Sequence, residues 1–321
     1  MVKQSIYILV FVQLICMKPL IAQDQPIVGW YMPAMMPAKV PVPQLDVQTL
    51  VLPFYKAGNL MLIEATVDGQ TGYFIFDTGA PYLVLNRTYF RKYPSIANYT
   101  ALGISNVEVD IMRTRVRALN IRALKYQNIE ADVADLSHLE NNRKVKILGL
   151  LGTNLFTDFV VGIDFKAQNV TLYSPEAFQK ISAKVGTATL PISLRNNLIL
   201  MNGVVNGQKV QLVFDTGAEI NVLGNDLAEA VYEPFIIQKR STLSGSVGEE
   251  IEVFSGVLMR MLLNNHIYLN MKTIMTNLSG IGKVYGFRVD GILGYEFLIK
   301  GPVYIDFKNR QIIMQKKEFY E

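Results

Sequence analysis

The sequence predicts an all-β protein of two similar lobes with few short helices, and three observations carry that prediction. The chain repeats itself; its apolar runs are strand-length and punctuated by hairpin turns; helical periodicity is confined to a few short stretches.

The repeat is the strongest of the three. The run from Asn59 to Gln70, followed by Phe76-Asp77-Thr78-Gly79-Ala80, returns from Asn197 to Gln208, followed by Phe214-Asp215-Thr216-Gly217-Ala218. The offset is 138 residues and extends back to Leu52-Pro53 over Leu190-Pro191. Further on, Gly149-Leu150-Leu151-Gly152 meets Gly291-Ile292-Leu293-Gly294, and Ile163-Asp164-Phe165 meets Ile305-Asp306-Phe307, both at an offset of 142. Four residues are therefore gained between these blocks in the second copy. The copies cover roughly 50–173 and 188–314. The chain divides into a leader (1–22), an extended arm (23–48), a first lobe (49–173), a linker (174–187) and a second lobe (188–321).

Within each copy the elements read as strands. Asp68-Gly69 and Asn206-Gly207, set between apolar runs, are hairpin turn pairs. The stretch from Val107 to Val116 alternates, and the row Arg113, Arg115, Arg117 reads as a solvated strand face. Helix is expected after Gly152, around Asn225 to Tyr232, and in the linker, where Ser174-Pro175 supplies an N-cap and a first-turn proline for a helix through Ile181. The arm holds Pro33, Pro37, Pro41 and Pro43, many methionines and the lone Trp30; no periodic pattern survives there.

Composition excludes several classes. Half the residues are apolar, enough for a large core and too many for a disordered chain. A basic start at Lys3, an apolar run from Ile6 to Met17, and Leu20-Ile21-Ala22 read as a secretory signal cleaved near Ala22, which makes the protein periplasmic or secreted. That run falls short of the ~20 residues of a membrane span. Removing Lys3 and Lys18 with the leader leaves 29 Lys+Arg against 27 Asp+Glu, too weak a bias to argue for nucleic acid or an acidic membrane. Cys16 is the only cysteine; a lipoprotein reading would use it, but the residue before a lipidated Cys is normally small and here it is Ile15, which makes lipidation the minor alternative to cleavage near Ala22. The mature chain thus has no disulfide, no cysteine nucleophile and no thiolate metal site. His138 and His266 lie in polar surroundings without ligand spacing and read as surface residues, so neither a Ser-His-Asp triad nor a zinc site is expected, and no metal or cofactor.

The two Asp-Thr-Gly-Ala segments carry the chemistry. Each follows an apolar run (Tyr73 to Phe76, Leu212 to Phe214) and precedes another (Tyr82 to Leu85, Ile220 to Leu223), the setting of a sharp turn between buried strands. A carboxylate there is costly without compensation. If the lobes pack about a two-fold axis, equivalent loops meet and bring Asp77 and Asp215 together. Two carboxyls so close share one proton, which gives a base to activate water and an acid to polarise a carbonyl.

At these residues the sequence resembles the pepsin and retropepsin superfamily of aspartic proteases. Leu150-Leu151-Gly152 and Ile292-Leu293-Gly294 resemble its second motif, which passes beside each active loop. The resemblance implies a catalytic pair of Asp77 and Asp215, with Thr78 and Thr216 cross-bracing the loops through hydroxyl-to-backbone bonds and Gly79 and Gly217 presenting backbone near the carboxylates. Ala80 and Ala218, where pepsins usually carry Ser or Thr, point to a fused, two-lobe retropepsin-like form. So do the short helices suggested at Asn154-Leu155-Phe156 and Glu296-Phe297-Leu298. Flap candidates lie near Gly103–Asn106 and Ser244–Gly248. Pro81 and Glu219 occupy the place where retropepsins favour a substrate-contacting Asp.

The implied function is an aspartic endopeptidase acting on peptides or unfolded protein as a monomer with an internal dyad. Two alternatives are a protease-like module that holds peptides without turnover, and a dyad shared with another chain. Asp164 and Asp306, recurring in both copies, read as strand-starting residues that bond local backbone. Asn86, Asn98, Asn169 and Asn277 stand in the glycosylation pattern, relevant only in a eukaryotic secretory route.

Overall fold

The computed structural model of the chain describes residues 5–7, 39–102, 108–141, 143–185, 188–244 and 250–314. Among them the protein is mostly β, in two lobes of the same construction joined by a shared sheet. In the first lobe, strand Gln70–Phe76 runs parallel to Ile147–Leu151, which is antiparallel to Val84–Asn86; that strand runs parallel to Leu124–Ala134, which pairs antiparallel with Glu108–Ile121. The second lobe repeats this order with Gln208–Phe214, Gly291–Leu293, Asn221–Gly224, His266–Thr276 and Glu250–Leu263.

The hairpin turns form as their residue types dictate. Asp68 and Gly69 take φ of 48° and 89°, Asn206 and Gly207 take 45° and 77°, so both central residues of each turn are left-handed. That twist suits the flanking strands and is least costly for Asp, Asn and Gly.

A six-stranded antiparallel sheet ties the lobes together. Its order is Thr49–Pro53, Asn169–Tyr173, Val160–Asp164, Val303–Asp306, Gln311–Met314 and the first half of Ala188–Arg195. Three strands come from each repeat, so the halves meet along Val160–Asp164 and Val303–Asp306. The buried face of this sheet (Leu52, Val161, Val170, Leu190, Ile305, Ile312) belongs to one apolar cluster with Phe76 and Phe214, the residues just before the two aspartates. The cores of both lobes are thus continuous behind the active loops.

The four extra residues of the second copy can be located. Ala97 pairs with Arg113 and Lys239 with Ser255, both at the offset of 142, whereas strand Phe235–Ser244 begins four residues earlier than its counterpart Ala97–Leu102. The gain therefore precedes Lys239 and lengthens this hairpin at its base. Both flap candidates fall in or beside 103–107 and 245–249, outside the described residues; of them only Ser244 is seen, as the last residue of its strand.

Helices are short. The linker helix runs Pro175–Val185, longer than expected, with Ser174 Oγ accepting from Ala177 N at 3.1 Å. The expected helix around Asn225 to Tyr232 is only a 3₁₀ turn, Glu229–Val231. After Gly152 there is a 3₁₀ turn, Thr153–Leu155, and after Gly294 a single turn, Tyr295–Leu298. Three helices were not expected: Arg87–Phe90, Ser137–Asn141 and Ser279–Tyr285. Of the arm, residues 39–48 are described; Gln44 forms a two-bond bridge with Lys125. Near the start of the sequence, Ser5–Tyr7 lies as a short strand parallel to Thr242–Ser244.

Several single-residue expectations need correction. Arg113 is not on a solvated face: it is 5 % exposed, whereas Arg115 and Arg117 are exposed. The reason is Asp132, fully buried in the neighbouring strand, whose carboxylate requires a counter-charge. Arg113 supplies it through Nε to Oδ1 at 3.0 Å and Nη2 to Oδ2 at 3.3 Å. Asp164 and Asp306 end their strands rather than start them, though both do accept from local backbone, Lys166 N and Ala167 N in one case and Asn309 N in the other. Asn86 is buried and caps the helix that follows, so it is no glycan acceptor. His138 is half-buried in a helix instead of lying on the surface, and burial lowers its pKa to about 4. His266 opens a strand and is partly exposed. No helix among the described residues is long and apolar enough to cross a membrane.

Candidate active site

Asp77 and Asp215 leave the ends of equivalent strands and are held there by the second motif. Asp77 N donates to Leu151 O at 3.1 Å, and Asp215 N to Leu293 O at 2.9 Å. One step further on, Thr153 N donates to Ala80 O and Tyr295 N to Ala218 O, both at 2.9 Å. These bonds stitch each loop to the strand passing beside it. The approach is so close that a Cβ on Gly152 would lie 2.1 Å from Tyr82 O, and one on Gly294 2.4 Å from Ala218 O. Only glycine fits at either place.

Across the axis the two loops are braced reciprocally. Thr78 Oγ1 donates to Phe214 O at 2.9 Å and accepts from Thr216 N at 2.9 Å. Thr216 Oγ1 donates to Phe76 O at 2.8 Å and accepts from Thr78 N at 3.0 Å. Four buried backbone groups are thereby satisfied by two hydroxyls, each serving the opposite lobe.

The brace brings the aspartates together. Gly79 N donates to Asp77 Oδ1 at 2.8 Å and also to Asp215 Oδ1 at 3.1 Å. Gly217 N donates to Asp215 Oδ1 at 2.7 Å, and Ala80 N to Asp77 Oδ1 at 3.2 Å. A Cβ on Gly79 would sit 2.5 Å from Asp215 Cγ, and one on Gly217 2.6 Å from Asp77 Cγ, so each glycine backs the other lobe's carboxyl. Both aspartates are 0 % exposed, and the second oxygen of each, Oδ2, is buried without a protein hydrogen-bond partner.

This environment favours protonation. Burial pushes the Asp77 carboxyl well above the ordinary carboxylate range, and the nearby charge of Asp215 adds to it. Burial also raises Asp215, to about 7, against the lowering effect of its hydrogen bonds to Asp77, Gly217, Gly79 and Ala218. Both carboxyls are thus raised, and the pair titrates as one coupled unit. A pair of this kind can hold one proton between two carboxyls over a wide pH range.

The other residues singled out in the sequence fall around this pair. Ala80 and Ala218 are buried against their own aspartates, offering a backbone N–H and a methyl group where a hydroxyl would otherwise stand. Glu219 does not line the loop freely. Its Oε1 accepts from Asn59 N at 2.9 Å, its backbone oxygen accepts from Asn59 Nδ2 at 2.9 Å, and its Oε2 pairs with Arg143 Nη2 at 2.5 Å. Pro81 holds the equivalent place in the first loop, with Asn154 N donating to its carbonyl at 3.2 Å. Arg143 and the Arg113–Asp132 pair were missed in the sequence. The one available signal was Asp132, a charge set among the apolar Ala131, Val133 and Ala134 at the end of the strand Leu124–Ala134. Among the described residues no group of three His, Cys, Asp or Glu side chains is placed to hold a metal ion.

The comparisons with known proteins accord with this arrangement. No curated protein matches the chain. A family model described as aspartyl protease matches twice, over residues 63–155 and again over 201–297, so that each match spans one Asp-Thr-Gly-Ala loop and the second motif beside it. With more than half of its length matched and the two lobes related as the repeat requires, the chain belongs to the aspartyl protease family, as a two-lobe, retropepsin-like member.

Proposed function

We propose that the protein is an endopeptidase whose Asp77 and Asp215 form a shared-proton dyad that hydrolyses peptide bonds in peptides or unfolded protein. The observation that carries this reading is the paired, buried geometry of the two carboxyls, bridged by Gly79 N at 2.8 and 3.1 Å and each left with a partnerless Oδ2. In the proposed mechanism Asp215, as the ionised member, takes a proton from water as it attacks the scissile carbonyl. Asp77, protonated, donates to the carbonyl oxygen. The gem-diol intermediate then collapses: Asp215 gives the proton it took from water to the leaving amine, Asp77 takes back a proton from a diol hydroxyl as the carbonyl re-forms, and the dyad again holds one proton. Neither a nucleophilic side chain nor a metal is needed for these steps.

Three further parts of the reading are proposals of the same kind. Residues 1–22 direct export and are removed, which makes the enzyme periplasmic or secreted. One chain supplies both aspartates, a reading supported by the continuous core and the sheet that binds the two repeats. The residues flanking the scissile bond are apolar, since the loop flanks Tyr82-Leu83-Val84 and Ile220-Asn221-Val222 are mostly apolar. A statine-type transition-state analogue tests the whole: it should bind the purified protein and abolish its hydrolysis of unfolded protein. Hydrolysis indifferent to saturating analogue would remove the dyad from the reaction.

A further inference from the structure

A site with perfect two-fold symmetry reads a peptide identically in both directions, so every side-chain preference on one side of the scissile bond recurs on the other. The duplicated halves of this protein match closely at the dyad itself. They differ beside it. Glu219, the residue after the second active loop, reaches from its own lobe to Asn59 and Arg143 of the other, with hydrogen bonds of 2.9 Å and an ion pair of 2.5 Å. Its side chain is 10 % exposed and that of Arg143 8 %, so the contact is largely out of water. Gly58 takes φ of 65°, and a Cβ there would lie 2.5 Å from Glu219 Oε1; the strand entry is shaped to admit the carboxylate.

The counterparts on the other side of the axis carry no such charges. Pro81 stands where Glu219 does, Asn197 where Asn59 does, and Tyr285 where Arg143 does. The next pair of positions differs as well. Tyr82 lies under the guanidinium of Arg113, 4.9 Å from its ring centroid, whereas Ile220 packs in an apolar cluster with Tyr285 and Phe287. Beside the second active loop the lobes are therefore joined by a charged, hydrogen-bonded clasp, whereas the equivalent positions beside the first are a proline, an asparagine and a tyrosine.

We propose that the Glu219–Arg143–Asn59 clasp determines specificity by fixing the direction in which a peptide lies across the dyad. It makes one side of the dyad polar and leaves the other apolar, so that beyond the apolar residues flanking the scissile bond the preferred substrate carries an aromatic residue at the second position on one side and an amide-bearing residue at the second position on the other. This rests on the reading of Asp77 and Asp215 as a peptide-binding dyad. The clasp acts on binding and not on the chemical step: its loss raises KM and leaves kcat nearly unchanged.

The test uses two statine-containing peptides that differ only in order, one with Phe two residues before the statine and Gln two residues after, the other with these exchanged. The wild-type protein should bind them with Kd values differing by about tenfold or more, and Arg143→Gln and Glu219→Gln should each cut the ratio to about threefold or less. Glu219→Asp, which keeps the charge, should retain part of the preference. Amide hydrogen exchange at Asn59, whose N–H donates to Glu219, should speed up in both neutral variants and so report the clasp whether or not anything binds. Equal affinity of the wild type for the two peptides, or a preference that survives both neutral substitutions, overturns the proposal. Binding of neither peptide by the wild type overturns the dyad reading as well, and an Asn59 amide that still responds to substitution then marks the clasp as purely structural.

Discussion

Gly162 lies directly opposite Tyr304 in the central pair of the interlobe sheet, and the two are each other's counterparts, 142 residues apart in the repeat. On either side, Val161 faces Ile305 and Ile163 faces Val303, which are again counterparts crossed over. The pseudo-two-fold axis therefore passes through the Gly162–Tyr304 pair, as it passes between the two threonine hydroxyls of the active loops. The same axis that builds the sheet brings the aspartates together. A Cβ on Gly162 would meet Tyr304 Cε1 at 3.0 Å and Tyr173 Cε2 at 3.2 Å. Gly162→Val should overpack this point and cost about 1–3 kcal/mol. Urea unfolding checks it, with an unchanged midpoint as the contrary result.

Thr78→Ala should leave Phe214 O and Thr216 N buried without partners. Each such group costs about 1–3 kcal/mol, so a large drop in stability is expected together with loss of activity. Thr78→Ser keeps the hydroxyl and should retain most of both. If the Ala and Ser variants melt together, the hydroxyl brace contributes little.

Arg113→Met strands the buried Asp132 carboxylate, which should cost about 3–5 kcal/mol. The second lobe shows an uncharged alternative, since the counterparts are Ser255 and Ile274. Arg113→Met combined with Asp132→Leu should therefore recover most of the loss. Denaturant titration of the three proteins decides it; a double variant no better than the single would locate the importance of Arg113 elsewhere.

The pH dependence has a definite sign. Burial raises both dyad carboxyls above their unfolded values, so the native state binds the extra protons and their contribution to stability is present at low pH. It is lost as pH rises from the ordinary carboxylate range through the native value, about 7 for Asp215. Asp215→Asn, which cannot ionise, should melt several degrees above the wild type at pH 8, with the gap closing towards pH 4. The same raised values place activity in mildly acidic to near-neutral conditions. Ala218→Ser adds a hydroxyl donor beside Asp215, the member that must be ionised, and should move the acidic limb of the pH–rate profile downward. A fixed or rising limb would mean that Ala218 N already satisfies that position.

Much of this arrangement was legible in the chain because its signals are local. The Asp-Gly and Asn-Gly turns, the Ser174-Pro175 helix start and each copy of the Asp-Thr-Gly-Ala segment are written within a few neighbouring residues, and the repeat shows when the chain is laid over itself. What was illegible depends on pairing between distant residues. The interlobe sheet joins Val160–Asp164 to Val303–Asp306, and no periodicity within either strand says that its partner lies in the other copy. Arg113 reads as solvated until the register sets Asp132 opposite it. The helices at Arg87–Phe90 and Ser137–Asn141 are too short for a 3.6-residue pattern. They are held by contacts from elsewhere, such as Asn86 Nδ2 donating to Ile147 O at 2.9 Å.

The central claim is that Asp77 and Asp215 act as one unit, and the most direct measurement is hydrolysis of an unfolded protein substrate by the wild type, Asp77→Asn and Asp215→Asn across pH 3 to 8. Each variant should keep its fold, melting no lower than the wild type at neutral pH, and lose about 10³-fold or more in kcat/KM at every pH. Activity within about tenfold of the wild type in either purified variant would contradict the account.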